Sequence, residues 1–478
     1  MKTLKMFIDG KFVENGTGKW IDVLNPSTEE VIAQQPDGTV DDVRKAIDAA
    51  EKAQAAWEKL PAIQRAGYLL RIAAGIRKRE KELTDIIVAE GGKTQGLANV
   101  EVLFTADYIE YMAGWARRYE GEIIQSDRPL ESIFLFKKAI GVTTGILPWN
   151  FPFFLIARKA APALITGNTI VVKPSQITPI NAHVFAEIVE EAGLPAGVFN
   201  LVNGRGSVLG NELASNPKVG MVSLTGSVEA GQQTMAAAAP NITKVSLELG
   251  GKAPAIVMDD ADLDLAVKSI IASRVINTGQ VCNCAERVYV HSKVKDVFID
   301  KLVAGMKAVK AGNPAEEKDL DMGPLVEEKA LKSIEAKVEK AVKQGAKLVC
   351  GGKRIGNKGY FYEPTVLINA TQKMDIIQEE TFGPVLPVVE FSDIDDAIAW
   401  ANDCEYGLTS SVYTQNLDTA FKLVRALKFG ETYINRENFE AMQGFHAGWR
   451  KSGIGGADGK HGLEEYLQTH VVYLETKA

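Results

Sequence analysis

A cysteine and a glutamate, each close to glycines, are the residues of this chain best suited to do chemistry together. Cys282 follows Gly279-Gln280-Val281, an unusually polar setting for a core cysteine. Glu248 ends an apolar run and is followed by Leu249-Gly250-Gly251, where the backbone can approach a ligand closely. A thiolate that attacks a carbonyl and a carboxylate that activates water can form and hydrolyse a thioester. The pair therefore predicts covalent catalysis on an aldehyde.

Each of these residues also has a purely structural explanation. A lone cysteine is most often a small buried hydrophobic residue, and a glutamate at a strand end most often faces solvent. Cys284 fits the structural role, and its Cys-x-Cys spacing with Cys282 lacks the further ligands of a metal site. The two motifs together favour the catalytic interpretation, and we predict no metal site.

Two further segments could support such a reaction. Asn150 lies in the proline-rich loop Pro148-Trp149-Asn150-Phe151-Pro152, from which its amide could donate to a developing oxyanion, although asparagine in such turns is often only structural. Gly226, Ser227 and Gly231 join a predicted strand to a predicted helix, whose first backbone N–H groups would favour a phosphate. That glycine spacing is a weak signal by itself.

The elements that must position these residues are predicted from hydrophobic periodicity. Thr39 to Leu60 shows helical spacing, and Thr39 with Asp42 resembles a capping box. Residues Glu131 to Leu147 read as extended strand. From Gly141 onward short apolar strands alternate with helices, which predicts a parallel sheet covered on both faces. Such sheets bind ligands beyond the carboxyl ends of their strands, which is where Lys173 and Gly226 fall.

Composition excludes several classes of protein. The 478 residues include 54 basic and 61 acidic ones, for a net charge of −7, without the basic cluster typical of nucleic-acid binding. No run approaches the roughly 20 apolar residues of a membrane span, and the first residues do not resemble a signal peptide. The four cysteines form no disulfide-like framework. We therefore expect a cytoplasmic protein with neither nucleic-acid nor membrane partners.

These segments together resemble the aldehyde dehydrogenase superfamily over essentially the whole chain. The motifs that carry the resemblance stand in family order: Pro148-Trp149-Asn150, Gly167-Asn168-Thr169 before Lys173-Pro174, Gly226-Ser227, Glu248 to Lys252, Gly279 to Cys282, and Glu380-Thr381-Phe382-Gly383-Pro384. The resemblance implies that Cys282 is the nucleophile, that Asn150 helps to form the oxyanion hole and that Glu248 is the general base. It also implies a set of residues that bind the cofactor NAD: Trp149, Lys173, Gln176, Gly226, Ser227, Gly231, Glu380 and Phe382.

The same resemblance implies an α/β fold of three parts. Residues 1–120 and 141–249 would form a Rossmann-like cofactor-binding domain, and residues 250–451 an α/β catalytic domain. Residues 121–140 and 452–478 would form a small β bridging element. Because its extended segments could pair between subunits, we predict a homo-oligomer, a tetramer in preference to a dimer.

Gln176 departs from the pattern of the NAD-preferring members, which often have a glutamate at this position. A carboxylate there would bind the ribose hydroxyls and repel a 2′-phosphate. The neutral amide removes that repulsion, and Lys173 could attract the phosphate. We therefore expect NAD as the cofactor with measurable use of NADP.

The chain also departs from the pattern near its C-terminus, where His446 replaces an aromatic residue that typically lines the aldehyde tunnel. The stretch from Ile434 to Gly453 is similar to the lactaldehyde and glycolaldehyde dehydrogenase subgroup. Arg158 and Glu440 could join His446 in a polar pocket, which would favour short hydroxyaldehydes over long alkyl ones. Alternatively, all three residues could lie in surface or subunit contacts.

Two other functions remain open at this point. A CoA-acylating semialdehyde dehydrogenase would use the same cysteine with a thiol acceptor, but it would not need Glu248 as a base for water. A non-catalytic protein could retain the fold alone, but it would not need Cys282, Glu248 and Asn150 together. Formation of NADH from lactaldehyde, with and without CoA, would distinguish the three.

Overall fold

Four β-sheets and fifteen α-helices organise residues 2–14 and 16–477, which the computed structural model describes. The α-helices are α1 (Val40–Lys59), α2 (Ala62–Lys78), α3 (Glu80–Gly91), α4 (Gln95–Ala113), α5 (Pro152–Ile165), α6 (Ile180–Glu191), α7 (Gly206–Ser215), α8 (Val228–Ala238), α9 (Leu263–Val275), α10 (Lys295–Ala308), α11 (Glu328–Lys343), α12 (Asp375–Gln378), α13 (Ile394–Asn402), α14 (Leu417–Ala426) and α15 (Gly459–Glu464). The α/β class predicted from the alternation of strands and helices is confirmed.

The strands of the described residues vary from two to nine residues in length. They are β1 (Lys2–Thr3), β2 (Met6–Ile8), β3 (Lys11–Val13), β4 (Trp20–Leu24), β5 (Val31–Pro36), β6 (Glu122–Gln125), β7 (Glu131–Ala139), β8 (Val142–Ile146), β9 (Thr169–Lys173), β10 (Phe199–Leu201), β11 (Val219–Thr225), β12 (Lys244–Glu248), β13 (Ala253–Val257), β14 (Ala285–His291), β15 (Lys347–Cys350), β16 (Thr365–Ile368), β17 (Val385–Phe391), β18 (Thr409–Tyr413), β19 (Glu431–Ile434), β20 (Gly453–Ile454) and β21 (Leu467–Glu475).

The largest sheet has eight strands in the order β20-β12-β11-β8-β9-β10-β2-β3. Its five central strands, β12 to β10 in this order, are parallel, and both ends of the sheet are antiparallel. Every residue of β9 and of α5 is buried. Elements covered on all sides read as continuous apolar runs, which explains why their sequences show no polar face.

A second sheet of seven strands has the order β15-β16-β17-β14-β13-β18-β19 and is parallel except for β15. Two small sheets complete the fold. One has the order β1-β5-β4, and the other has the order β21-β7-β6, in which β7 pairs with β21 over nine residue pairs. Residues Gly453–Ile454 pair with β12 of the large sheet.

The stretch predicted to be extended from Glu131 to Leu147 does form strand, but it is interrupted at residues 140–141. The chain forms two strands that belong to different sheets, β7 and β8, and Gly141 between them has a φ of 122°. Because both strands are extended and apolar, periodicity alone cannot reveal the change of sheet. The backbone conformation of Gly141, which residues with a side chain rarely adopt, marks the break.

The predicted helix at Thr39 to Leu60 is confirmed as α1. Thr39 caps it as expected: the Asp42 N–H donates to the Thr39 hydroxyl at 3.3 Å, and the Thr39 N–H donates to the Asp42 carboxylate at 3.0 Å. Of the helices within the described ranges, none is both long enough and apolar enough to cross a bilayer.

Candidate active site

Four strand ends of the eight-stranded sheet carry residues expected to do chemistry. Asn150 follows β8, Lys173 ends β9, Gly226 follows β11 and Glu248 ends β12. These strands are parallel neighbours in the order β12-β11-β8-β9, with Thr225 opposite Glu248. Their carboxyl ends therefore share one edge of the sheet, as ligand sites of this architecture do.

Cys282 reaches the same edge from the loop between α9 and β14. Just before it, Asn277 and Thr278 have left-handed φ values of 46° and 60°, which are strained for residues with side chains. Hydrogen bonds hold this loop: the Asn277 amide donates to the Asn150 carbonyl at 3.2 Å, and the Asn150 amide donates to the Gln280 carbonyl at 3.1 Å. The loop that carries the candidate nucleophile is thus hydrogen-bonded to the candidate oxyanion donor.

The two glycines that follow Leu249 allow the backbone to pack closely. A Cβ atom on Gly251 would lie 2.3 Å from the carbonyl oxygen of Cys282, and one on Gly250 would lie 2.7 Å from the Glu380 carboxylate. Both distances are shorter than van der Waals contact, so a larger residue would push these groups apart. The glycines bring parts of the protein itself together at the site.

The two cysteines of the Cys-x-Cys segment lie in different environments. Cys282 is half-buried and faces open space. Cys284 is buried, and its sulfur lies 3.0 Å from the Val281 carbonyl oxygen. Burial raises the pKa of the Cys284 thiol to about 12, so this thiol stays protonated at neutral pH. The environment of Cys284 therefore suits the structural role predicted for it.

Two cavities meet at Cys282. The inner pocket is lined largely by apolar residues and contains the polar groups of Arg158, Asn283 and Glu440. The outer cleft extends along the Gly226–Ser227 turn to Trp149 and Phe382. The two cavities share four lining residues, which are Asn150, Thr225, Glu248 and Cys282.

Glu248 is buried between these cavities and is held as a carboxylate. The Thr225 hydroxyl donates to its Oε2 at 2.7 Å, and an Arg158 nitrogen lies 3.9 Å from the same oxygen. Burial raises the pKa of Glu248, but the positive charges of Lys159, Arg158 and His446 and the Thr225 hydrogen bond lower it more, to about 2. The group is therefore ionised at any pH near neutral.

Arg158 on α5 is buried and binds three carboxylates. It forms two bonds with Asp458, at 3.0 and 2.5 Å, and one with Glu440 at 3.0 Å, in addition to its weaker contact with Glu248. Glu440 also accepts a hydrogen bond from the Asn283 amide at 2.5 Å. Arg158 and Glu440, two of the three residues predicted to form a polar pocket, therefore contact each other on the wall of the inner pocket.

His446, the third of these residues, lies deeper in the protein. Its ring is buried, and Nδ1 lies 2.5 Å from the Glu431 carboxylate on β19. His446 therefore pairs with Glu431 and does not line the inner pocket with Arg158 and Glu440.

The outer cleft contains several residues that the family resemblance assigns to the cofactor. Trp149 and Phe382 form an edge-to-face pair with ring centres 5.6 Å apart. Ser227 caps the N-terminus of α8 at one side of the cleft. Gly231 lies one turn into α8, where a Cβ atom would come within 2.6 Å of Leu249, so this glycine allows the helix to pack closely on the sheet.

Glu380 stands across the outer cleft from α8. Its Oε1 accepts a hydrogen bond from the Gly251 N–H at 2.9 Å. Burial and the nearby charge of Glu286 raise the pKa of Glu380 to about 7. Glu380 lines the outer cleft, where a carboxylate can accept hydrogen bonds from hydroxyl groups, so this residue fits a ribose.

Lys173 and Gln176 lie farther along the sheet edge and do not line the outer cleft. Lys173 is buried, its Nζ donates to the Pro174 carbonyl at 2.8 Å, and burial lowers its pKa to about 8. Gln176 is exposed. A Cβ atom on Gly206, at the N-terminus of α7, would lie 3.8 Å from the Lys173 Cε atom, so Lys173 lies beside the start of that helix.

The sequence analysis did not identify four residues that bind residues of the site or alter their electrostatics. Thr225, Asp458, Glu431 and Lys159 contact or influence Glu248, Arg158 and His446. A signal exists for two of them, because Thr225 directly precedes the Gly226-Ser227 motif and Lys159 directly follows Arg158. Asp458 and Glu431 meet their partners only through the fold.

The chain is similar to known proteins over nearly its whole length. A profile described as the aldehyde dehydrogenase family matches residues 12–472. The chain is 68% identical over 471 residues to lactaldehyde dehydrogenase of Escherichia coli (strain K12), with 98% of each chain covered. It is 40% identical over 476 residues to D-glyceraldehyde dehydrogenase (NADP(+)) of Thermoplasma acidophilum, with 98% and 96% covered. A solved structure of lactaldehyde dehydrogenase superposes with a TM-score of 0.98 at 68% identity, and 99% of each chain is covered.

Proposed function

Because this chain belongs to the aldehyde dehydrogenase family, we propose that it oxidises short 2-hydroxyaldehydes, lactaldehyde among them, to carboxylic acids. The protein is an oxidoreductase that uses NAD or NADP. The observation that carries the choice of substrate is the polar group formed by Arg158, Glu440 and Asn283 on the wall of the inner pocket beside Cys282. The similarity to lactaldehyde dehydrogenase supports the same choice.

The inner pocket combines two kinds of surface that suit a small hydroxylated substrate. Phe104, Phe154 and Phe439 supply apolar walls, and Glu440 supplies a carboxylate that can accept a hydrogen bond from a hydroxyl group next to the aldehyde. A substrate without that hydroxyl would displace water from the carboxylate without replacing its hydrogen bond. Such unpaired buried polar groups discriminate strongly against the apolar analogue.

The first half of the reaction uses Cys282 and Asn150. The Cys282 thiolate attacks the carbonyl carbon, a C–S bond forms, and the carbonyl π electrons move to the oxygen. One hydrogen of the Asn150 amide already binds the Gln280 carbonyl, so the other can donate to the oxyanion. The cofactor, when bound, supplies the acceptor for the hydride that leaves this carbon, and a thioester on Cys282 results.

The second half of the reaction uses Glu248. Its carboxylate lines both cavities, so it can take a proton from a water molecule that attacks the thioester. The tetrahedral intermediate collapses, the C–S bond breaks, and the acid leaves with the thiolate restored. This hydrolytic step distinguishes the reaction from transfer to CoA.

The residues around the outer cleft fit a dinucleotide. The N-terminus of α8, with Ser227 at its cap, favours the pyrophosphate. Glu380 and Lys173 would bind the two riboses, and Phe382 with Trp149 would pack against the nicotinamide end. Gly226 and Gly231 would let the chain approach the cofactor and α8 approach the sheet. Exposed Gln176 carries no charge to repel a 2′-phosphate, which supports use of NADP beside NAD.

These assignments give different segments of the chain different roles. Residues 1–120 and 141–249 would bind the cofactor, and residues 250–451 would supply Cys282 and the inner pocket. Residues 121–140 and 452–478 would bridge subunits of a cytoplasmic homotetramer. Apolar side chains exposed on the β21-β7-β6 sheet support the bridging role. The four cysteines, none of which forms a disulfide in the described residues, support the cytoplasmic location.

A comparison of lactaldehyde with propanal tests the proposal, because the two aldehydes differ only by the 2-hydroxyl group. We expect the native enzyme to show a kcat/KM at least about 10² higher for lactaldehyde, as sites that hydrogen-bond a substrate hydroxyl do. The substitution Glu440→Gln keeps the size of the side chain and removes its charge, and we expect it to reduce this ratio. Equal use of both aldehydes by the native enzyme would contradict the proposed substrate class.

A further inference from the structure

Arg274, in the last turn of α9, binds two segments of the chain that meet at the active site. The first is the loop of residues 276–284, which carries Cys282. The second is the segment of residues 380–383, which contributes Glu380 and Phe382 to the wall of the outer cleft. Arg274 is completely buried, and it lines neither the inner pocket nor the outer cleft. Its contacts therefore act on the site through these two segments.

The guanidinium group fixes the backbone of the 380–383 segment. The Arg274 Nε atom donates to the Gly383 carbonyl at 2.8 Å, and Nη2 donates to the carbonyls of Thr381 and Gly383. The Thr381 carbonyl precedes Phe382 in the chain, and the Gly383 carbonyl follows it. The backbone is thus held on both sides of the aromatic ring that lines the cleft.

The same guanidinium group holds the 276–284 loop near both of its ends. Nη1 donates to the Ala285 carbonyl at 2.9 Å and to the Cys284 sulfur at 3.2 Å. Nη2 donates to the Gly279 carbonyl at 3.4 Å. Gly279 precedes Cys282 by three residues, and Cys284 follows it by two. The position of Cys282 is therefore tied to that of Arg274 from either side.

The loop and the segment also pack directly on each other. Gly279 has a φ of 73°, and a Cβ atom on it would lie 2.3 Å from the Gly383 carbonyl oxygen. A residue with a side chain at this position would push the two parts of the chain away from each other. Because Arg274 donates to the carbonyls of both glycines, it joins the loop and the segment at this contact.

Glu286 on β14 holds the 380–383 segment as well. Its Oε2 accepts hydrogen bonds from the Thr381 N–H at 2.8 Å and from the Lys252 ammonium group at 2.7 Å. Its Oε1 lies 3.5 Å from the Arg274 Nη1 atom. The side chains of all three charged residues are at most 1% exposed. A buried polar network whose members are bonded in this way is rigid.

We propose that Arg274 and Glu286 are positioning residues that fix the distance over which the hydride moves. The inference rests on the proposed function, in which Cys282 carries the substrate and Glu380 and Phe382 lie against the nicotinamide end of the cofactor. Hydride transfer requires the reacting atoms to be about 3–3.5 Å apart, and a misplacement of about 1 Å costs about 10² in rate. Arg274 and Glu286 hold the substrate side and the cofactor side of this distance together.

The substitution Arg274→Lys tests the proposal because it keeps the positive charge beside Glu286. A single ammonium group replaces the planar fork of donors and cannot bind both segments as the guanidinium does. We expect single-turnover formation of NADH from lactaldehyde to slow by about 10² at saturating concentrations. Deuterium at the aldehyde carbon should slow the variant further, because breaking of that C–H bond limits its rate.

A second reaction of the same variant reports Cys282 without hydride transfer. p-Nitrophenyl acetate acylates a reactive cysteine in the absence of cofactor, and Cys282→Ser gives the background from other groups. Release of p-nitrophenolate should change much less than formation of NADH. The hydrogen bonds between the 276–284 loop and Asn150 remain in the variant, so the thiol should stay accessible.

The matched control is Arg287→Lys. Arg287 is as deeply buried as Arg274 and donates to the carbonyls of Lys252, Trp400 and Ala401. In the described part of the chain it forms no hydrogen bond with the 276–284 loop or the 380–383 segment. Both substitutions should lower the midpoint of thermal unfolding, but only Arg274→Lys should slow the formation of NADH strongly.

Three results with folded Arg274→Lys, checked by circular dichroism, would overturn the proposal. The first is a native rate of NADH formation. The second is an equal loss of NADH formation and of p-nitrophenolate release, and the third is an equal loss of NADH formation in Arg287→Lys. Either of the last two would indicate a generally loosened fold.

Gly279→Ala decides the question if Arg274→Lys does not fold. Its methyl group would separate the loop from the segment without altering a buried charge, so a native single-turnover rate in this variant would overturn the proposal. The native protein separates the inference from the proposed function. No NADH from lactaldehyde would remove both, whereas an active native protein with an unimpaired Arg274→Lys variant would remove only the positioning role.

Discussion

At the scale of single residues, Glu248 combines two properties that constrain how it works. Its pKa of about 2 lies below the ordinary value of 4.5, so the carboxylate stays ionised above about pH 3. The stability that it contributes is present above pH 4.5 and is lost as the pH falls towards 2. An acid limb in the activity profile between pH 5 and 7 therefore belongs to another group. The low pKa also makes Glu248 a weak base, so its position beside the thioester must compensate for its low basicity.

The substitution Glu248→Gln should separate the two halves of the reaction. Thioester formation does not need this carboxylate, so a burst of one NADH per active site should persist. Steady-state turnover should fall by about 10² to 10⁴, the usual contribution of a general base. Stopped-flow absorbance measures both phases. An equal decrease in the burst rate and the steady-state rate would show that Glu248 acts before hydrolysis.

Gln176 is the residue at which the choice of cofactor can be tested with little risk to the fold, because it is exposed. Gln176→Glu would place a negative charge beside the 2′-phosphate of NADP. We expect the ratio of kcat/KM for NADP to that for NAD to fall about tenfold, since a like charge at close range costs about 1 kcal/mol or more. Gln176→Ala is the matched control and should change the ratio much less. Complete rejection of NADP by the native enzyme would contradict the expectation.

At the scale of elements, α5 is the helix on which much of the site depends. Asn150 precedes it, and Arg158 lies on it. Its first turn is capped by a side chain from α4: the Glu101 carboxylate accepts hydrogen bonds from the N–H groups of Phe153 and Phe154 at 3.0 and 3.1 Å. The other oxygen of Glu101 is paired with buried Lys93. Removing either partner would leave a buried charge without compensation.

Lys93→Met tests the importance of this cap. The Glu101 carboxylate would remain buried without its cation, and breaking a buried pair costs about 3–5 kcal/mol. We expect a lower midpoint of thermal unfolding by differential scanning fluorimetry, together with a loss of activity as α5 shifts. The control is Lys81→Met, which breaks the exposed pair Lys81–Asp85. Its midpoint of thermal unfolding should equal that of the native protein. Equal midpoints for both variants would show that the cap contributes little.

The elements show which parts of the site can be predicted from sequence. Cys282, Glu248 and Asn150 carry recognisable local motifs, and the parallel strands that bring Asn150 and Glu248 to one edge follow from the alternation of strands and helices. Another partner of Arg158 could not be predicted, because Asp458 lies 300 residues away and is held in an unusual backbone conformation with a φ of 72°. Local patterns reveal residues and elements, whereas pairings between distant loops require the fold.

At the scale of the whole molecule, the β21-β7-β6 sheet is the surface that best suits contact between subunits. β6 and β21 are its edge strands, and they leave backbone groups available for further pairing. Large apolar side chains are exposed on all three strands, among them Ile123 at 76%, Phe136 at 51% and Tyr473 at 66%. Exposed apolar surface of this kind is typical of an interface.

Charged residues on this sheet should therefore dissociate the assembly. The double substitution Ile123→Glu and Phe136→Glu would place carboxylates where the proposed tetramer buries apolar side chains. We expect light scattering to detect assemblies with fewer copies of the 51.8 kDa chain. The control is Val297→Glu, a 54% exposed apolar position on α10, outside the sheet, which should leave the mass unchanged. Because the two glutamates lie outside both cavities, Cys282 of the dissociated form should react with iodoacetamide as fast as Cys282 of the native protein. A native protein that is monomeric, or a double variant with the native mass, would show that subunits meet elsewhere or not at all.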